Sequence, residues 1–141
     1  MQKLAVNAAI NPLSVIFDCR NGVLFERARI EMLMHVVIRE VAGVITAWLR
    51  ETNPAVPTAK FEFENLKKTV YEVGEMVMQN ISSMRQDVLA GRKTEIDYIN
   101  GWVVKKGEEL NVDCLINRKV VELVKEGRKI NEDEIDDVFG F

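Results

Sequence analysis

The stretch IEMLMHVVIREVAGVITAWL, at residues 30–49, decides the fold. Its apolar residues recur at spacings of three and four, which is the period of an α-helix. The apolar stripe is broad, as expected for a helix at the centre of a domain. The longest apolar run, residues 36–49, contains Arg39 and Glu40 and is too short to span a bilayer, so we expect no membrane segment.

The same spacing continues on both sides of this helix. It predicts further helices over residues 1–10, 63–79, 82–90, 95–110 and 118–126. We find no strand alternation, no repeat, no glycine-rich GxGxxG loop after a strand and no phosphate-binding P-loop. The sequence therefore predicts an all-α, multi-helix bundle over residues 1–126, followed by an acidic tail over residues 127–141.

Turn and capping residues separate the predicted helices. Asn11-Pro12 should end the first helix, because the residue before a proline is pushed out of the α region, and Asn11 could then cap a short new helix. Residues 18–22 and 52–58 read as a turn and a loop, and Gly91 as a helix stop. Thr94 and Asn117 are predicted N-caps. Asn131 with Glu134 resembles a capping box for one short helix in the tail.

Composition excludes several function classes. The chain has 141 residues, 48% of them hydrophobic and 29% charged, and its net charge is −3. Nucleic acids and acidic membranes need a basic face, so we expect neither as a partner. Cys19 and Cys114 are far apart and His35 is the single histidine, so no zinc set is expected. Two free thiols fit a cytoplasmic protein.

Lys3, Asn7 and Asn11 follow one another at intervals of four residues within an otherwise apolar segment. On a helix, Lys3 and Asn7 share one face. One interpretation is the polar wall of a cleft, with a lysine able to give a proton. The alternative is a solvated face with an N-cap at Asn11.

A second polar cluster, Asn80, Ser82 and Ser83, lies between two predicted helices. Such short side chains can hydrogen-bond to the local backbone, or they can offer donors to a carboxylate. Glu95 could complement the dipole of the helix that it begins. Spacing alone leaves these alternatives open.

Two longer motifs resemble a known family. KLAVNAAINPLS at residues 3–14 and NISSMRQDVLAGRKTEIDYINGWVV at residues 80–104 resemble the two signatures of the C-terminal helical domain of ketopantoate reductases (2-dehydropantoate 2-reductases). Asn21-Gly22 and Arg39-Glu40-Val41 also fall at matching places. The resemblance covers residues 3–126 and implies a fold like the C-terminal domain of 6-phosphogluconate dehydrogenase.

The resemblance also implies an activity and residue roles. Family members pair this domain with a Rossmann domain that binds NADPH, and they reduce 2-dehydropantoate to pantoate for coenzyme A synthesis. Lys3 matches the proton-donating lysine, and Glu95 a glutamate at the cofactor and the substrate hydroxyl. The expected substrate-binding residues are Asn7, Asn11, Asn21, Asn80, Ser82 and Ser83. Glu40 matches a family acid without a firm role.

The chain also departs from the family pattern. Ile116 replaces a usual proline, the loop at residues 111–116 differs, and the Rossmann domain is absent from these 141 residues. We therefore expect the substrate half of an oxidoreductase that is inactive without a Rossmann domain in the same or another chain, and that forms a homodimer through its long apolar helix. The alternative is a helical module that dimerises or binds a small acid without redox chemistry.

Overall fold

Seven α-helices, short 3-10 helices and turns make up the domain, which has no strand. The computed structural model describes residues 1–141. The α-helices are α1 (Gln2–Ile16), α2 (Ala28–Thr52), α3 (Phe63–Val77), α4 (Ser83–Leu89), α5 (Asn100–Leu110), α6 (Leu115–Glu126) and α7 (Ile135–Phe139). The 3-10 helices are Asn21–Phe25, Ala59–Phe61, Ile96–Tyr98 and Glu132–Glu134. The all-α prediction is confirmed.

The central helix is α2, which packs against α1, α3, α5 and α6. Its apolar stripe is buried inside the domain, including Leu33, Met34, Val37, Ile38, Val41, Val44 and Ile45. By length and composition alone α2 could cross a membrane, but 56% of its most apolar window is buried, as in a core helix. The expected homodimer therefore cannot rest on this stripe, and it stays a prediction.

The predicted break at Asn11-Pro12 is wrong, because α1 runs unbroken through Pro12. Proline has no N–H for the carbonyl four residues earlier, which here belongs to Ala8. That carbonyl oxygen accepts a hydrogen bond from Asn100 Nδ2 at 3.1 Å. A side chain 92 residues away thus replaces the missing helix bond, and Asn11 lies within the helix instead of capping one.

The predicted start of the fifth helix is also wrong. Thr94 Oγ1 accepts only a long hydrogen bond, 3.4 Å, from the N–H of Ile96, and the segment forms the 3-10 helix Ile96–Tyr98, whose N-cap residue is Glu95. Ile99 then leaves helical geometry, with φ −110° and ψ −93°, before α5 begins at Asn100. The segment bends because Ile96 and Ile99 both turn into the core.

Asn117 does not cap α6, which begins two residues earlier at Leu115. The capping group is Glu40 of α2. Its carboxylate accepts hydrogen bonds from the N–H groups of Ile116 at 3.1 Å and Asn117 at 2.8 Å. A carboxylate satisfies free N–H groups at a helix start and complements the helix dipole there. Glu40 thereby has a structural role that the sequence did not reveal.

The predictions for α3 and α4 are confirmed to within two residues, and Gly91, with φ +71°, follows α4. In the tail, the capping box of Asn131 and Glu134 is present and precedes the short helix α7. Ile130, Ile135 and Phe139 belong to the buried core. The tail also satisfies two helix ends: Ile130 N–H donates to Ile16 O at 3.0 Å, and Glu132 accepts from Arg29 N–H at 3.2 Å.

Candidate functional site

A cavity of about 210 Å³ lies between α1, the 3-10 helix Asn21–Phe25, the end of α3 and the start of α4. Its apolar lining is Val6, Ile10, Val73, Val77 and Ile81. Its polar lining comprises all six residues expected to bind substrate: Asn7, Asn11, Asn21, Asn80, Ser82 and Ser83. Pockets for drug-sized ligands are larger, roughly 300 Å³ or more, so this cavity suits a small metabolite.

Asn7 and Asn11 form the α1 wall of the cavity. They are half-buried, one helical turn apart, and neither side chain makes a hydrogen bond within the chain. Behind them, Ser14 Oγ donates to the backbone oxygen of Asn11 at 2.7 Å. This bond does not involve the side-chain amide of Asn11. Each amide can therefore both donate to and accept from a ligand.

Asn21 forms the floor and is only 4% exposed. Its Nδ2 donates to Val77 O at 3.2 Å, while its Oδ1 is buried without any partner. The segment approaches α3 closely because Gly22 has no side chain: a Cβ there would lie 2.9 Å from Met78 O. An unpaired buried acceptor is costly, and Asn100 Oδ1 in the interior of the domain is a second example.

Ser82 differs from its neighbours Asn80 and Ser83 in its hydrogen bonds. Its buried hydroxyl caps α4 by accepting from Arg85 N–H at 3.1 Å, and it lies 2.6 Å from Ser14 Oγ. Asn80 and Ser83 are exposed, and their side chains make no hydrogen bond within the chain. The capping interpretation thus holds for Ser82, while Asn80 and Ser83 remain free to bind a ligand.

Lys3 and Glu95 are not part of the cavity lining. Lys3 is exposed, one turn before Asn7 on the same side of α1, and Glu95 is exposed just before the 3-10 helix Ile96–Tyr98. Neither side chain makes a hydrogen bond or ion pair within the chain. The structure therefore gathers the predicted substrate residues but does not bring the two predicted catalytic residues into contact with them.

An ionic contact next to the cleft was missed by the sequence reasoning. Asp18 pairs with Arg85 of α4 at 3.2 Å and with Lys129 of the tail at 3.3 Å. Partial burial raises the pKa of Asp18, but the hydrogen bonds from Lys129 and Arg85 outweigh this and hold it below its usual range. These pairs join residues far apart in sequence, so no local signal could have identified them.

The two thiols do not offer a nucleophile. Burial raises the pKa of Cys19 to about 11 and that of Cys114 to about 12. Both groups are therefore protonated at neutral pH, and the reactive form of a cysteine is the thiolate.

The fold and the cleft define a helical domain whose cavity is lined by the unpaired amides of Asn7, Asn11 and Asn80 and the unpaired hydroxyl of Ser83. The chain belongs to the family described as the C-terminal domain of ketopantoate reductase PanE/ApbA, whose family model matches residues 1–128. It is 37% identical over 123 residues to 2-dehydropantoate 2-reductase of Archaeoglobus fulgidus, and 39% identical over 126 residues to the enzyme of that name from Vibrio cholerae.

A solved structure of the same family has the same fold. A ketopantoate reductase of the PanE/ApbA family from Ralstonia eutropha JMP134 aligns with a TM-score of 0.71 at 28% identity, covering 94% of this chain and 40% of that one. The two curated relatives are matched over 87% and 88% of this chain. The chain spans only 38% of the length of each of them.

Proposed function

We propose that this chain is the substrate-binding half of an NADPH-dependent 2-dehydropantoate 2-reductase. The observation that carries the proposal is the cavity itself, where the side chains of Asn7, Asn11, Asn80 and Ser83 make no hydrogen bond within the chain. A purely structural bundle would gain nothing by gathering four unpaired polar side chains at one concave site. The relatives named 2-dehydropantoate 2-reductase support the same assignment.

The polar groups suit a small hydroxylated 2-keto acid. Amide and hydroxyl donors can bind a carboxylate and a keto oxygen without adding a second titrating group. The unpaired amide oxygens of Asn7, Asn11 and Asn80 could accept from a hydroxyl hydrogen of the ligand. The apolar lining, which includes Val6, Ile10 and Val77, would face the carbon skeleton of the substrate.

Lys3 and Glu95, which lie outside the cavity lining, are proposed to act on a substrate bound there. Reduction of a ketone places negative charge on its oxygen, and the Lys3 ammonium would stabilise that charge and then supply the proton. Glu95 would accept from a substrate hydroxyl. Both side chains are exposed, where water screens their charge. A partner domain that covers them would strengthen their effect by excluding water.

The residues of this chain do not form a site for the dinucleotide. The domain has no strand, and its sequence has no glycine-rich phosphate-binding loop. NADPH, which supplies the hydride in this reaction, would be held mainly by a Rossmann domain in the same or another chain. We accordingly propose that the 141 residues alone are inactive.

The test joins the chain to a cofactor domain. The N-terminal part of the Archaeoglobus fulgidus relative would be fused before residue 1, and NADPH oxidation would be followed with 2-dehydropantoate. The fusion should reduce the keto acid, and the isolated chain should not. Holding the hydride donor at reacting distance can be worth roughly 7–11 kcal/mol, so the contrast should be large.

Two controls make the result interpretable. NADPH binding by the fusion, measured by fluorescence, would show that the added domain is folded. A fusion that binds NADPH and the keto acid but transfers no hydride would contradict the proposal and favour a small-acid-binding module. Robust turnover by the isolated chain would contradict the proposed need for a Rossmann domain.

A further inference from the structure

Two asparagines that the proposed chemistry does not use, Asn100 and Asn117, are completely buried. Asn100 is the first residue of α5, and Asn117 lies in the first turn of α6. Asn100 Nδ2 donates to Asn117 Oδ1 at 2.9 Å. Asn100 Oδ1 is buried without a partner, which is costly, so the presence of this pair in the core needs a structural or functional reason.

The second N–H of the Asn100 side-chain amide replaces the hydrogen bond that Pro12 cannot donate. A proline within a helix leaves the carbonyl oxygen four residues earlier without its donor. The Asn100 amide reaches that oxygen, Ala8 O, at 3.1 Å. An amide nitrogen has two hydrogens, and Asn100 uses both: one for α1 and one for Asn117.

Asn117 extends the connection to α2. Its Nδ2 donates to Glu40 Oε1 at 2.8 Å and to Val37 O at 3.3 Å. Its own position is fixed by the bond from its backbone N–H to Glu40 Oε1. A continuous chain of hydrogen bonds therefore runs from α2 through α6 and α5 to the middle of α1.

This connection ends within the wall of the cleft. Ala8 follows Asn7 directly and precedes Asn11 by three residues, and Lys3 lies on the same helix. A helix that contains a proline can bend at the freed carbonyl, and the group that binds this carbonyl limits the bend. Whatever holds Ala8 O therefore also sets how Lys3, Asn7 and Asn11 face the end of α3 and the start of α4.

We propose that Asn100 is a positioning residue for the substrate cleft: by supplying the hydrogen bond that Pro12 withholds from Ala8, it fixes the segment of α1 that carries Lys3, Asn7 and Asn11. Asn117 orients the Asn100 amide for this task. The functional part of this inference rests on the proposed reductase function, whereas the structural part can be measured on the chain alone.

The structural test asks whether substitution of Pro12 compensates for the loss of Asn100. Asn100→Ala leaves Ala8 O without a donor, and Pro12→Ala supplies a new N–H to the same oxygen. Hydrogen exchange of the chain should therefore show faster exchange of the amides over residues 5–11 in Asn100→Ala, by about tenfold, the equivalent of one lost hydrogen bond. The double variant Pro12→Ala/Asn100→Ala should regain most of this protection.

A matched control separates a local effect from a general loss of stability. Phe61 is buried in the 3-10 helix Ala59–Phe61, which packs against α2 and α3. Phe61→Leu should speed exchange wherever exchange needs global unfolding, with no excess in α1. An Asn100→Ala profile that matched the Phe61→Leu profile, or a double variant without rescue, would overturn the structural part.

The functional test uses the fusion described above, well below the melting temperature of every variant. Asn100→Ala should lower kcat/KM for the keto acid about tenfold, with KM rising, and Pro12→Ala/Asn100→Ala should regain most of it. Phe61→Leu should leave both constants near the wild-type values. Unchanged kinetics in Asn100→Ala would refute the positioning role.

The two tests fail separately. If the wild-type fusion reduces no keto acid, the proposed function fails, while the exchange data still decide whether Asn100 holds α1. If the fusion is active and the exchange data show no rescue, the proposed function stands and the Asn100 inference is wrong.

Discussion

The cleft and the interior use the same residue type in opposite ways. In the cleft, Asn7, Asn11 and Asn80 make no side-chain hydrogen bond within the chain. In the interior, the nitrogen atoms of Asn100 and Asn117 donate to two acceptors each. Both sets adjoin α1. The comparison teaches that the partners of an asparagine side chain, and not its residue type, mark it as structural or as a candidate for binding.

Asn21 stands between these two sets. It is as buried as a structural asparagine, and its Nδ2 is bonded to Val77 O, but its Oδ1 has no partner. Its hydrogen bonding thus resembles that of Asn100, whose Nδ2 is also bonded and whose Oδ1 is also buried without a partner, although Asn21 lines the cleft. The following predictions test the separation between the two sets, from the largest expected effect to the smallest.

The largest effect should come from Lys3, which lies outside the cavity lining. In the fusion, Lys3→Ala should lower the rate of keto-acid reduction by roughly 10²–10⁴, the usual contribution of a positioned general acid. Steady-state kinetics measures this effect. Since Lys3 is exposed, the melting temperature should not change. A wild-type rate in a folded variant would reduce Lys3 to a solvated helix residue.

The comparison itself is tested by one substitution in each set. Asn117→Ala should lower the free energy of unfolding by about 2–3 kcal/mol, because it leaves the Asn100 amide and Glu40 without a buried partner. Asn80→Ala should change it by less than about 0.5 kcal/mol, because the side chain is exposed and unpaired. Urea unfolding of both variants measures the difference. Equal losses would mean that the separation into two sets is wrong.

Ser82 and Ser83 are adjacent residues that show the same contrast: the Ser82 side chain is hydrogen-bonded within the chain, and the Ser83 side chain is not. The expected effects are smaller than for the asparagines. Ser82→Ala should cost about 1 kcal/mol of stability, the usual value of an N-cap. Ser83→Ala should leave stability nearly unchanged but raise KM for the keto acid in the fusion. Thermal unfolding and kinetics on both variants decide this, and a stability loss confined to Ser83 would reverse the assignment.

The smallest effect concerns the contact between α2 and α3, where His35 Nε2 lies 2.7 Å from Tyr71 Oη and Tyr71 donates to Glu31 at 2.8 Å. Burial, with the nearby charge of Lys67, lowers the pKa of His35 below its ordinary value. The unfolded chain therefore binds this proton more readily. Stability should be fully present above about pH 6.5 and decrease as the pH falls below it.

His35→Gln should flatten that decrease. Because His35 is only partly buried, the change should be less than about 0.5 kcal/mol between pH 7 and pH 5. Urea midpoints across this range measure it. The same slope in the variant would show that the decrease comes from other groups.

Much of the fold could be predicted because helices follow a local rule. The 3.6-residue spacing over residues 30–49 identifies α2, and the motifs at residues 3–14 and 80–104 indicate the family. Two of the three wrong helix boundaries lie where a distant group supplies a hydrogen bond. Asn11-Pro12 does not break α1 because Asn100 binds Ala8 O, and Asn117 does not cap α6 because Glu40, 77 positions away, does. The third, at Thr94, lies where Ile96 and Ile99 turn into the core.

The sequence by itself determined the helical class, the family and the six polar residues that meet in one cleft. Only the tertiary structure decided that the Ser82 hydroxyl caps α4, that Asn21 Nδ2 donates to Val77 O, and that Asn100 Nδ2 donates to Ala8 O in α1. The physical reason is that helix formation depends on neighbours within four residues along the chain. Whether a polar side chain is free depends on which distant groups the packed helices bring within about 3 Å of it.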